Sequence, residues 1–314
     1  MPSGVRAIIT RDDMDTLWWY KVGFAIFYFL QATAAIILSL VKISGTDSDT
    51  GEDTCTWLST TLNVTSDYLV GAGTDPATAG EQYWGLPAIG EVGPVNLGLL
   101  IGIASASEFV WLVVNLFFHD REMLAAANDF NPFRWWRYAW SHGILWLAIA
   151  IIAGVRNVFV LTLLTLAVIN WIRDFANNEN FNSVSVNRAR KKRAENLNGT
   201  FSTWSYYDAF LGAVVTFLIF ATIVFIHLGF AAANDAFDAE DASLATVAFV
   251  TPITGAVVYL GLPVIIYLHH SQATLETVSD KERAMYWWQF IFITAITWLS
   301  LGFFTAVDCV IADD

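Results

Sequence analysis

Between Ser44 and Gly93 the chain has no lysine or arginine, and charge is scarce throughout: only 14% of 314 residues are charged. A soluble domain carries about a quarter. This shortage excludes an ordinary water-soluble globule. Internal repeats and low-complexity linkers are also missing, so the sequence reads as a single domain over 1–314. No nucleophile elbow, phosphate loop or catalytic dyad occurs, which leaves an enzyme the least supported class. The buried-type Glu, Arg and His residues have no metal-ligand spacing, and nothing points to nucleic acid.

What the chain has in abundance is apolar and aromatic surface, 56% and 15% of residues, with a mean hydropathy of +0.51. About 20 apolar residues span a bilayer core. That length predicts an all-α membrane protein of seven spans, near 17–41, 94–118, 132–153, 157–176, 205–232, 244–268 and 285–308. Each must be helical, because hydrocarbon offers no partner to a free backbone amide.

The net charge of −13 is unevenly spread. The first long loop and "NDAFDAEDAS" are acidic, whereas "NRARKKRAEN", "FHDREM", "NPFRWWR" and "DKERAM" carry the cations, with Arg6, Arg11 and Lys21 at the amino end. Lys and Arg concentrate in short cytoplasmic loops. The predicted topology therefore has the amino terminus in the cytoplasm and the carboxyl terminus outside, with Arg156 the exception. The first 16 residues are polar, so span one is expected to act as its own signal-anchor. "RARKKR", in a loop near 177–203, reads as a topology determinant, with contact to anionic lipid as the alternative.

Cys55 and Cys309 both fall outside in this topology. Either they form a disulfide from the first loop to the end of span seven, or they are two independent small apolar residues. Asn63 in "NVT" is an external glycosylation acceptor, and Asn198 in "NGT" a cytoplasmic, unmodified one. "TCTWLSTTLNV" is β-prone and predicts a small hairpin in the first outer loop. The tryptophan clusters read as interfacial anchors, leaving only Tyr259 and Trp298 deep enough to line a pigment.

Ionisable residues inside a span are costly and functional by default. Glu108 in span two, Arg137 and His142 in span three and His227 in span five are the candidates. Glu108 and Arg137 form the expected ion pair, read first as a structural bridge between neighbouring spans and second as part of a proton or ion path.

These features together resemble the heliorhodopsins, an inverted-topology branch of the retinal proteins. The resemblance rests on the topology, the long outer loop and "NPFRWWRY". In that segment Asn131, Pro132, Arg134, Trp135 and Tyr138 match the family's Asn-Pro-x-Arg-Trp-x-Glu-Tyr pattern. "GFAIFYFLQA", "SASEF", "GVRNVFVLTLLTLAVINW" and "DKERAMYWWQFIFITAITW" extend the similarity over most of the chain. Family histidines of spans one and two align near Tyr28 and near Glu108 or Phe109. The resemblance implies that Arg134 belongs to the family pattern and serves the interface. Two departures stand out. The counterion glutamate falls on Arg137, and the retinal lysine falls near Ile293 or Thr294, with no lysine after Lys281.

An aldehyde is held as an imine only by an amine. The expectation is therefore a heliorhodopsin-like integral, multi-pass membrane protein with no covalent cofactor. It acts as a non-photoactive structural or interaction subunit, with bound lipids and with a second copy or a larger membrane complex as partner. Two alternatives are an ion or proton transporter using Glu108, Arg137 and His142, and a non-covalent binder of retinal, carotenoid or lipid in the pocket between spans three, five, six and seven.

Overall fold

The computed structural model describes residues 10–40, 61–69, 87–127, 130–153, 155, 157–194, 218, 222, 242–270 and 278–300. Span five, His227, Cys55, Cys309 and Asn198 lie outside these described residues, apart from positions 218 and 222 of that span. Among the described residues the chain is predominantly helical. Three helices are long and apolar enough to cross a membrane, Arg11–Leu40, Leu97–Phe117 and Val158–Asn177.

Helix α1 (Arg11–Leu40) starts where Thr10 and Asp13 cap one another: the Asp13 amide donates to Thr10 Oγ1 at 3.1 Å, and the Thr10 hydroxyl to the Asp13 carboxylate at 2.7 Å. Strands β1 (Thr61–Leu69) and β2 (Pro87–Asn96) pair antiparallel from Thr61↔Asn96 to Leu69↔Pro87, with an irregularity at Val64/Thr65. Asn63 sits in β1 opposite Pro94. Asn96 ends β2 and begins α2 (Leu97–Phe117). Its Oδ1 accepts from the Leu99 amide at 2.8 Å, and its Nδ2 donates to the Ser39 carbonyl at 3.1 Å, which closes the last turn of α1 as well.

The two helices then run in close contact. A Cβ on Gly102 would lie 2.6 Å from Ile36 Cγ1, so only glycine permits the approach. The short helix α3 (His119–Ala126) follows, in a segment the sequence reads as a simple loop.

Helix α4 (Pro132–Ile152) begins on the Asn131 cap with proline at its first turn, where the missing N–H costs nothing. It is the most enclosed helix and packs against α2 and α5 (Val158–Ala194). Tyr138, Leu145, Ala148 and Ile149 are fully buried on it.

Two spans differ from the sequence-based boundaries. α5 does not give way to a loop near 177 but continues as one 37-residue helix to Ala194. No Gly or Pro occurs between 177 and 194 to break it. Span six is two helices, α6 (Ala242–Tyr259) and α7 (Gly261–His270), interrupted at Leu260. Pro263 is the cause: its ring clashes with the carbonyl four residues back, at Tyr259. The Trp288 indole of α8 (Val278–Ser300) donates to the Val258 carbonyl beside this break, at 2.8 Å.

Candidate functional site

The charged residues near the start of α4 are drawn inward rather than left at the surface. Arg134 is 1% exposed and is ion-paired to Glu179 of α5 and Glu282 of α8. This corrects the expectation that Arg134 serves the interface. Glu179 also receives Lys281 Nζ at 2.6 Å and the Trp135 indole at 2.5 Å. Lys21 of α1 pairs with Glu122 of α3, and Asn131 Nδ2 bridges Glu122 and Glu282 at 3.0 and 3.2 Å.

Three cations and three carboxylates thus form one buried, neutral cluster joining α1, α3, α4, α5 and α8. A buried charge survives only when paired and hydrogen-bonded. Burial pushes the Glu122 carboxyl up, yet Lys21 and the hydrogen bonds from Lys21 and Asn131 hold it below the usual carboxylate range. Glu179 lies past the apolar part of α5. Burial opposes its ionisation too, but Arg134 and Lys281 hold it at about 2. Burial first, and then the Lys21 ammonium, depress His119. Its Nδ1 faces Lys21 Nζ at 2.9 Å and its Nε2 faces the Met14 carbonyl at 3.1 Å, a pattern that fits the neutral Nε2–H tautomer.

One turn further along α4 the second site begins. Arg137 Nε lies 3.3 Å from Glu108 Oε2, both side chains being buried. The angle is not that of a hydrogen bond, so the contact is an ion pair by proximity. The Ser141 hydroxyl and Gln289 Nε2 both donate to Glu108 Oε1. The Arg137 guanidinium lies over the rings of Tyr286 at 4.8 Å and Tyr138 at 5.5 Å, two cation–π contacts that further offset its desolvation.

Beyond Glu108, Gln31 Nε2 donates to Ser105 Oγ at 3.0 Å and to Thr297 Oγ1 at 2.9 Å. Past that triad come the fully buried Ala35 of α1 and Ile101 of α2, followed by two buried polar residues, Ser39 of α1 and Ser300 of α8. Glu108 connects with the charged cluster through Arg137, which lies over the Tyr286 ring, and through the Tyr286 hydroxyl, which donates to Glu122 Oε1 at 3.3 Å.

His142 is buried in an aromatic cluster rather than among ligands. Its ring stacks on Tyr138 at 4.7 Å and meets Phe292, Tyr259 and Trp288 at 5.0, 5.4 and 5.5 Å. Its Nδ1 is 2.9 Å from the Tyr259 hydroxyl. Trp146 and Trp171 close the other side of Tyr259, at 5.4 and 4.5 Å. Ile293 is fully buried on α8 next to Phe292, and Thr294 is partly buried.

Sequence reasoning had only Tyr259 and Trp298 as deep aromatics. It missed Trp146, Trp171 and Trp288 because hydropathy places indoles at the interface without telling which face of the helix each occupies. The doublets divide accordingly: Trp135 and Trp288 are buried, while Trp136 and Trp287 are 63% and 47% exposed. Among the described residues no group of three or more His, Cys, Asp or Glu is arranged to hold a metal ion. Comparison with protein-family models and with curated proteins gives no match.

Proposed function

We propose that this chain is a heliorhodopsin-like seven-span membrane protein without covalent retinal, inserted with its amino terminus in the cytoplasm. It serves as a structural or interaction subunit of a membrane assembly, with lipids and a second copy or other membrane proteins as partners. One observation carries the reading. The two positions on which retinal chemistry would depend carry neither carboxylate nor amine, since the counterion falls on Arg137 and the lysine near Ile293 or Thr294, and Arg137 faces Glu108 across the core.

The lysines nearest this region support the same conclusion. Lys21 and Lys281 are engaged with Glu122 and Glu179 in the charged cluster. An amine buried against a carboxylate is not free to attack an aldehyde. Against a non-covalent pigment, Trp146, Tyr259, Trp288 and Phe292 pack together on the described α4, α6 and α8 walls of the expected pocket.

The test is direct. Full-length protein is incubated with retinal, treated with borohydride and examined for visible absorption and for a retinyl adduct. The expected result is neither; a reducible visible band overturns the proposal.

A second reading, an ion path through Glu108 and Arg137, draws on the polar line of Gln31, Ser105, Glu108 and Thr297. A voltage- or pH-driven current in liposomes, abolished by Glu108→Gln, would establish this reading in place of the first.

A further inference from the structure

A groove of about 550 Å³ runs down the outside of the helices between α1 and α8, lined by Thr16, Tyr20, Gly23, Phe27, Trp287 and Phe290 among others. The sequence pattern builds it. Thr16, Tyr20, Gly23 and Phe27 recur at helical spacing, as do Arg283, Trp287 and Phe290 on the facing helix. The floor opens at Gly23, where an added Cβ would meet nothing within 4 Å. The walls are aromatic: Phe27 meets Phe290 at 4.8 Å, and Trp287 meets Phe24 at 5.5 Å.

We propose that this groove binds one acyl chain of a zwitterionic phospholipid; the inference rests on the membrane reading above. Three features select that occupant. The first is length. Thr16 to Phe27 rises about 16 Å along the helix, close to half of a hydrocarbon core of roughly 30 Å, which is the reach of a chain from one leaflet.

The second is shape. Helices associate in membranes through small residues that let backbones approach. Here Trp19 and Trp287 stand up at the edges, 65% and 47% exposed. They keep a second helix away from the slot but leave room for a flexible chain.

The third is charge at the mouth. Asp12 and Asp13 lie one turn above Thr16 on the same face of α1, and Arg283 and Asp280 occupy the matching turn of α8. Arg283 already holds Asp13 at 3.2 Å and Asp280 at 3.8 Å. These three carboxylates outnumber Arg283 and the exposed Arg11 of the same turn of α1, so the mouth repels an anionic headgroup and attracts an ammonium, for which the exposed Trp19 ring is an additional partner.

The test uses full-length protein in phosphatidylcholine nanodiscs with a trace of phosphatidylcholine carrying a diazirine in one acyl chain. After illumination, adducts are mapped by mass spectrometry. Labelling of Tyr20, Phe27 and Phe290 is expected several-fold above that of Leu163 and Leu166, exposed apolar positions of α5. Gly23→Leu, which fills the slot, removes the enrichment. The phosphatidylglycerol form of the probe labels the groove less than the phosphatidylcholine form, a comparison that needs no variant. Uniform labelling, stronger labelling by phosphatidylglycerol, or a cross-link between two copies through Trp19 overturns the proposal. Recovery of the protein outside the membrane fraction would instead remove the membrane reading beneath it.

Discussion

Arg137 and Glu108 face each other across α4 and α2 at 3.3 Å, and neither is more than 2% exposed. Each makes the other tolerable. The guanidinium supplies the charge that the carboxylate needs, and Ser141 and Gln289 satisfy the carboxylate's other oxygen.

Removing one partner should therefore cost more than removing both. Arg137→Gln or Glu108→Gln alone is expected to lower stability by about 3–5 kcal/mol, the usual consequence of stranding a buried charge. The double variant should recover a large part of that loss. Unfolding followed in detergent by circular dichroism supplies the cycle; strictly additive losses would show that the pair is not coupled.

Stability should fall on acidification in two stages. Glu122 and Glu179 have folded pKa values below their unfolded ones. Their contribution is complete above the ordinary carboxylate range and is lost as pH falls through it toward about 2 for Glu179. His119 is also depressed, so its contribution is complete above its ordinary value near 6.5 and declines as pH drops below that. Thermal midpoints from pH 8 to pH 3 should decline first through the histidine range and then more steeply. His119→Gln should reduce the decline in the first range and leave the second unchanged.

Gly102→Ala should push α1 and α2 apart. The new methyl group would meet Ile36 Cγ1 at 2.6 Å and the Ile36 amide nitrogen at 3.3 Å. Overpacking of this kind costs about 1–3 kcal/mol, and Ile36→Ala in the same chain should return most of it. A lone Gly102→Ala variant that melts like the parent would show that the helices separate freely.

The proposed topology gives the two sequons different fates. Expressed through a eukaryotic secretory pathway, the chain should gain one glycan, at Asn63. Asn63→Gln should abolish the mobility shift and Asn198→Gln should leave it. A glycan at Asn198 would invert the proposed orientation.

Parts of this architecture are legible in the amino-acid order because they depend on near neighbours. Asn131 followed by Pro132 announces the start of α4, and unbroken apolar runs announce α1, α2 and the first half of α5. The break in span six was in view as "LGLP", but continuous hydropathy masks a proline that acts four residues upstream. Inward placement of Lys21, Arg134, Lys281 and Glu282 was hidden for a different reason. A charge at a span's end reads as solvated until the helix facing it is known, and the partners here are up to 148 residues apart. The pairing of Glu108 with Arg137 was nearer in sequence and easier to anticipate, whereas the contribution of Gln289 from α8 was not.

The six-charge cluster has a consequence for biosynthesis. Lys21, Glu122, Arg134 and Glu179 all precede α8 in the chain, two of each sign, and α8 brings Lys281 and Glu282 as one more of each. As the chain emerges from the ribosome, the growing assembly carries no surplus charge at this locus, either before the last helix arrives or after. Under the proposed topology, insertion can pause before the last span without leaving this cluster a net charge.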